Sequence, residues 1–142
     1  MALRLRNLGS GSSGNATLIE AHSGVTFTRV LIDCGLRVSE VKKRLQACDL
    51  ELEDLDGVFV THEHSDHWGH AATLCQRLSI PLWSSEGTLH AVIGEGAEVR
   101  ELDWNQASDG VAIEWGDLQL LPFTVPHDAR EPLQLCCSDG DR

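Results

Sequence analysis

The segment Thr61-His62-Glu63-His64-Ser65-Asp66-His67 places three histidines and an aspartate within six positions, directly after a run of strand formers. Imidazole nitrogens and carboxylate oxygens are ligands for divalent transition metals. In extended backbone, residues two apart project to the same side, so His62 and His64 can present ring nitrogens to one ion. Asp66 and His67 fall where the chain turns toward the next helix and can face a second ion beside the first. Two ions about 3.5 to 4 Å apart polarise a substrate oxygen and supply hydroxide near neutral pH, so the pattern predicts a hydrolase. Asp66 is also the candidate catalytic residue, since a carboxylate within reach of the attacking water orients it and eases loss of its proton. Glu63, between the paired histidines, points away from their metal and is not assigned as a base. The chain carries neither a nucleophilic serine elbow nor a phosphate-binding loop ending in Gly-Lys-Ser/Thr, which leaves covalent catalysis unsupported.

Three further places bear on that site. Asp33 ends the run Leu31-Ile32-Asp33, where a carboxylate is either a plain turn residue or an acceptor for the second N–H of a metal-bound histidine, fixing its orientation. Gly9-Ser10-Gly11-Ser12-Ser13-Gly14-Asn15 reads as a tight loop between two strands. Its glycines let backbone amides approach an anion, and Ser12, Ser13 and Asn15 offer hydrogen bonds to a substrate phosphate. His127 follows Pro126 at a strand end, where it either caps a loop or joins the cluster. Trp68 is read as packing and His70 as an exposed helix residue, while His22 and His90 have no companions.

His62-x-His64-x-Asp66-His67 resembles the signature of the metallo-β-lactamase-fold hydrolases. Within that superfamily, the Gly9–Asn15 loop, Leu31-Ile32-Asp33-Cys34-Gly35 and Pro126-His127-Asp128-Ala129 resemble a subgroup of bacterial phosphodiesterases and DNA exonucleases, and the likeness spans nearly the whole chain. The resemblance implies an α+β fold, the αββα sandwich, with a mixed sheet and flanking helices. It implies that His62, His64 and His127 hold a first metal, that Asp66 and His67 contribute to a second, and that Asp33 supports the histidine loop from behind. Zinc is the implied cofactor, two ions per complete site, and this ligand type also admits manganese. Members of the family are about twice as long and bring two further ligands from their second half, a bridging aspartate and a terminal histidine. The late aspartates Asp139 and Asp141 lie in Ser138-Asp139-Gly140-Asp141, where Asp-Gly reads as a hairpin turn. Residues 1–142 are therefore expected to form a metallo-β-lactamase-like domain truncated at its C-terminus, the N-terminal half of the fold, with one sheet face lacking its usual cover.

Positioning the cluster requires a frame that the pattern supplies. Alternation predicts strands over Ala2–Leu8 and Ala16–Ala21, then a turn at Ser23-Gly24 and a third strand ending at Asp33. Ser39 can cap a helix carrying Val41, Leu45 and Cys48, before an acidic connection from Asp49 to Asp56. Gly57–Thr61 reads as a strand buried on both faces. A helix through Ala71, Leu74, Cys75 and Leu78, a strand at Pro81–Trp83 and a helix capped by Ser84 or Ser85 and running through Ile93 follow. Short strands are expected at Val99–Leu102, Val111–Trp115 and Leu118–Phe123, with Gly116-Asp117 as a hairpin turn, all packed around one mixed sheet.

At 142 residues, 42% hydrophobic and 23% charged, the chain can bury a core without disulfides or a structural metal. Its net charge of -11 opposes broad attraction to nucleic acid or an anionic membrane, although two divalent ions place positive charge where a phosphate binds. Leu3 and Leu5 alternate with Arg4 and Arg6 where a secretory signal needs a continuous apolar core, so a cytoplasmic location is expected. No apolar run approaches the roughly 20 residues of a spanning helix. The five scattered cysteines, without Cys-x-x-Cys, argue against a disulfide framework and a thiolate zinc site. The expected function is a metal-dependent hydrolase that cleaves phosphodiester bonds through a metal-activated hydroxide, with DNA or RNA as substrate. Two alternatives stay open: thioester or lactam hydrolysis at the same centre, and a metal-binding half-domain, catalytically incomplete, that self-associates or meets a complementing second half.

Overall fold

Antiparallel pairing of three amphipathic segments starts the molecule, which is a computed structural model describing residues 2–125 and 129–139. Strands β1 (Ala2–Gly9), β2 (Ala16–Ser23) and β3 (Thr26–Ile32) form a meander, Leu5 opposite Ile19 and Leu18 opposite Leu31. From β3 the chain changes habit, and helices α1 (Val38–Gln46), α2 (Ala71–Leu78) and α3 (Glu86–Gly94) alternate with β4 (Gly57–Phe59), β5 (Leu82–Ser84) and β6 (Trp104–Gln106). These last strands run parallel to β3 and to each other, giving a mixed six-stranded sheet in simple sequence order. Strands β7 (Ile113–Trp115), β8 (Leu118–Thr124) and β9 (Leu133–Ser138) make a second, antiparallel sheet.

Two apolar layers hold this together. Leu18, Leu31, Val58 and Leu82 on one face of the large sheet meet Val41 and Leu45 of α1 and Leu74 of α2. On the other face Ile19, Val30 and Phe59 meet Ile113, Leu118, Leu120 and Leu133 of the second sheet. Two facing sheets with helices outside one of them form an α+β sandwich, in place of the single mixed sheet that short-range pattern suggested. The difference arises because sheet membership is decided by long-range register, which strand periodicity does not encode.

Other boundaries shift for local reasons. Val99–Leu102 is a turn, with the Leu102 N–H donated to Val99 O, and the edge strand is Trp104–Gln106, where Trp104 Nε1 donates to Ser84 Oγ at 2.8 Å. Helix α1 begins at Val38, one residue before Ser39, behind Arg37, which makes no side-chain cap. Ser85 caps α3, accepting the Thr88 N–H at 3.1 Å. The acidic connection contains a short 3-10 turn, Leu52–Asp54, that buries Leu52 while Leu55 beyond it is also buried. Gly116 adopts φ +57 in the β7–β8 hairpin, as its position between the two strands led us to expect.

Candidate metal centre

Strand β4 is buried at every residue, and its parallel neighbours β3 and β5 end on the same side of the sheet. Clefts outside the carboxyl ends of parallel strands are where open α/β sheets place ligands. The histidine loop, 61–70, leaves β4 at that edge. It is not extended: the His67 and Trp68 N–H groups both donate to His64 O, at 2.9 and 2.8 Å, so the chain curls back on itself. The curl brings the His67 ring to 4.0 Å from His62, nearer than His64 at 4.8 Å.

Asp33 organises the cluster from behind. Its left-handed φ of +65, tolerable for a short polar residue, turns the 6% exposed carboxylate under the loop. It accepts the Thr61 N–H at 2.8 Å, the Thr61 hydroxyl at 3.0 Å and His67 Nδ1–H at 2.6 Å. Since the Thr61 proton goes to Asp33, Thr61 Oγ accepts from His62 Nδ1 at 2.9 Å. Both histidines thereby carry their proton on Nδ1, leaving Nε2 as the ring nitrogen with the lone pair. Burial pulls the His67 pKa down, but the Asp33 hydrogen bond and the charges of Asp33 and Asp66 outweigh it, and the group stands above its ordinary value.

On the opposite side, Asn15 Nδ2 donates to Asp66 O at 3.0 Å, with Asp66 Oδ2 and His67 Nε2 each at 3.3 Å. Asp66 Oδ2 lies 3.7 Å from His67 Nε2. The Gly-rich loop is laced to the histidine loop through Asn15 N–H to Asp66 O at 2.7 Å and Gly35 N–H to Asn15 O at 2.9 Å. A Cβ on Gly35 would stand 2.0 Å from Asp66 O, so only glycine admits this approach. Ser12 and Ser13 are exposed. Glu63 is buried and points away, both carboxylate oxygens accepting the Arg130 N–H at 3.0 Å. Leu133 N–H donates to Thr61 O at 2.9 Å, which seats the start of β9 on the same loop.

His127, the remaining candidate ligand, lies outside the described residues. Among the described residues, no three His, Cys, Asp or Glu side chains are gathered round one point in a geometry that would hold an ion. The donor chemistry nonetheless fits a divalent metal, because Asp33 and Thr61 orient two imidazoles through their non-ligating nitrogens. Trp68 is buried in the helix-side core, and His70 is half-buried at the start of α2 with its N–H on Cys34 O, rather than exposed. His22 stacks on Phe27 and His90 pairs with Glu86, both outside the loop. Asp139 directly follows β9 and is buried. Sequence reasoning missed the roles of Thr61 and Glu63. Thr61 carried a signal, standing directly before the first histidine, whereas the partner of Glu63 is a backbone N–H that no side-chain pattern reveals.

Comparison with known proteins supplies the context. A family model described as the metallo-beta-lactamase superfamily matches residues 9–141. Exodeoxyribonuclease YycJ of Bacillus anthracis is 31% identical over 145 aligned residues, covering 100% of this chain and 52% of that protein. Exodeoxyribonuclease WalJ of Streptococcus pneumoniae is 31% identical over 128, covering 88% of this chain and 46% of that protein. The chain thus spans about half the length of these relatives. Among solved structures, Rm3 metallo-beta-lactamase superposes with a TM-score of 0.75 at 21% identity, over 97% of this chain and 55% of that one, a likeness of fold. This chain belongs to the metallo-beta-lactamase superfamily and corresponds to the N-terminal half of its fold.

Proposed function

We propose that this chain carries the principal metal-binding loop of a zinc-dependent hydrolase that cleaves phosphodiester bonds, with DNA as its substrate. The observation that carries the reading is the paired orientation of His62 and His67 by one buried carboxylate, Asp33, at the carboxyl edge of the parallel strands. His62, His64, Asp66, His67 and His127 are the proposed ligands. A divalent ion held there supplies Lewis acidity and lowers the pKa of water toward neutrality. Asp66, held by Asn15, orients the attacking water and accepts its proton. Glu63 is committed to Arg130 and takes no part in proton transfer. The names of the two exodeoxyribonucleases, matched over nearly all of this chain, support DNA over a lactam or thioester. No described helix is long and apolar enough to cross a membrane. Five free thiols suit a reducing compartment and support a cytoplasmic location.

A second reading is that this half of the fold, a half-domain spanning about half the length of the relatives it matches, binds metal without turning over substrate by itself. The two readings part on turnover. The zinc-loaded chain should hydrolyse bis-p-nitrophenyl phosphate, lose that activity in His62→Ala and Asp66→Ala, and leave a cephalosporin and a lactoyl thioester intact. Tight zinc without hydrolysis of any diester would establish the half-domain instead. Cleavage of the cephalosporin or the thioester, without cleavage of the diester, would refute the phosphodiesterase reading.

A further inference from the structure

The tryptophans of the chain occupy two kinds of setting. Trp68 is buried in the helix-side core, and Trp104 donates its indole N–H to Ser84. Trp83 and Trp115 are half-buried on the other face of the large sheet. Trp83 stands directly opposite Asn105, and the parallel ladder continues one residue earlier in each strand, where Leu82 N–H donates to Asp103 O and Val58 N–H to Pro81 O. Residues two apart on a strand share a face, so Pro81, Trp83, Asp103 and Asn105 form one wall. Trp115, on the edge strand β7 of the second sheet, closes the other side. Its ring lies over Gly57, where a Cβ would collide with it. The two indole centroids are 6.1 Å apart and their planes are tilted by 50°.

With Glu114, these residues line a cavity of about 280 Å³ between β7 and strands β5 and β6. Gly57, Pro81 and Asp103 stand at the amino ends of the parallel strands, whereas the histidine loop leaves their carboxyl edge, so the cavity is separate from the candidate metal centre. Asp103 and Glu114 are exposed at its rim, and neither is ion-paired among the described residues. Each accepts a neutral amide instead, Asp103 from Asn105 Nδ2 at 3.4 Å and Glu114 from Gln119 Nε2 at 2.7 Å. No Lys, Arg or His contributes to the lining.

The lining selects its guest by charge and hydration. Two carboxylates and the negative faces of two indoles repel an anion. A bare ammonium is strongly hydrated and gives up water reluctantly. A methylated ammonium keeps the positive charge, buries methyl groups against the rings and has no N–H that needs an acceptor. Cation–π attraction acts within about 6 Å of a ring centroid, so one cation in the mouth of this V is within reach of both indoles. We propose that the cavity between Trp83 and Trp115 is a binding site for a trimethylammonium head group, with Asp103 and Glu114 supplying the opposing charge. The proposal is independent of the hydrolase reading.

The test follows the indole N–H signals of the isotope-labelled, metal-free chain by nuclear magnetic resonance during titration with choline chloride in EDTA, each signal assigned from its Trp→Phe variant. The Trp83 and Trp115 signals should move and saturate, while those of Trp68 and Trp104 stay in place. Trp83→Leu should weaken choline binding about three- to thirtyfold. Trp83→Phe, which keeps an aromatic face, should lose less, and equal losses in the two variants overturn the cation–π account. Added sodium chloride should weaken binding to the parent more than to the Asp103→Asn, Glu114→Gln double variant, since screening acts on the charges that the variant lacks. The neutral isostere dimethylbutanol should leave the signals unmoved. Equal shifts by dimethylbutanol and choline, joint movement of all the indole signals, or no movement with choline overturns the proposal. Acetyl-trimethyllysine amide, titrated beside choline, separates the sources of the head group: tighter binding than choline assigns a methylated side chain, and weaker binding assigns a free small molecule.

Discussion

Replacing Asp33 should expose how much of the loop's order one carboxylate supplies. In Asp33→Ala three donors lose their acceptor: the Thr61 hydroxyl, which is free to rotate, and two fixed ones, the buried Thr61 N–H and the half-buried His67 Nδ1–H. Each fixed donor costs about 1–3 kcal/mol when orphaned, so the metal-free chain should lose about 2–6 kcal/mol. Asp33→Asn keeps one acceptor and tolerates the left-handed backbone, and should lose about 1–3 kcal/mol. Urea unfolding in EDTA measures this: with m of about 2 kcal/mol/M, Asp33→Ala should move the midpoint down by about 1–3 M. The pH dependence carries its own sign. The folded-state pKa of His67 is raised above 6.5, because the Asp33 bond and the nearby charges outweigh the lowering by burial. The stability from its ion pair is therefore fully present below pH 6.5 and is lost as the pH climbs through the raised value. The gap between the parent and Asp33→Asn should be wider at about pH 6 than at about pH 9. A loss under about 1 kcal/mol in Asp33→Ala, or a gap that widens with pH, would refute the placement of this carboxylate.

Three further outcomes follow from the geometry. Glu63→Ala leaves the Arg130 N–H without its acceptor and should cost about 1–3 kcal/mol in urea unfolding, with Glu63→Gln recovering part of it; equal midpoints in all three proteins would show that the contact contributes nothing. Gly35→Ala forces a Cβ against Asp66 O and should abolish the cooperative unfolding transition or remove tight zinc, whereas Gly94→Ala, with nothing within 4 Å, should leave both intact. Among the thiols, exposed Cys136 should react first with dithionitrobenzoate. Cys34, pushed up to about 12 by burial and then by the charge of Asp33, should react only after unfolding, as should Cys75, which burial raises further. Early labelling of Cys34 would contradict its burial.

Much of this was legible in the chain because the signals are local. His62, His64, Asp66 and His67 stand together in sequence, and the strand formers before them gave the buried β4. Gly116-Asp117 declared its hairpin through a residue that accepts positive φ. Val99–Leu102 failed because β-branched and apolar residues also suit a turn packed under a sheet, and the real edge strand was decided by Trp104 reaching Ser84. The resemblance implied a two-sheet sandwich, but short-range pattern alone could not separate the sheets, because Ile113, Leu118 and Leu133 meet Ile19 and Phe59 across nearly the full length of the chain. Within the site, ligand types were readable from spacing. The tautomer-setting relay from His62 through Thr61 to Asp33 was not, since it joins residues 28 apart through one hydroxyl.

The central claim, a metal site built on the histidine loop, is tested most directly by zinc content after exhaustive dialysis, measured by inductively coupled plasma mass spectrometry on three proteins. The parent and His22→Ala should each retain about one tightly held equivalent or more, and His62→Ala should retain none. Equal zinc in His62→Ala and the parent, or a parent that holds no zinc, would contradict it.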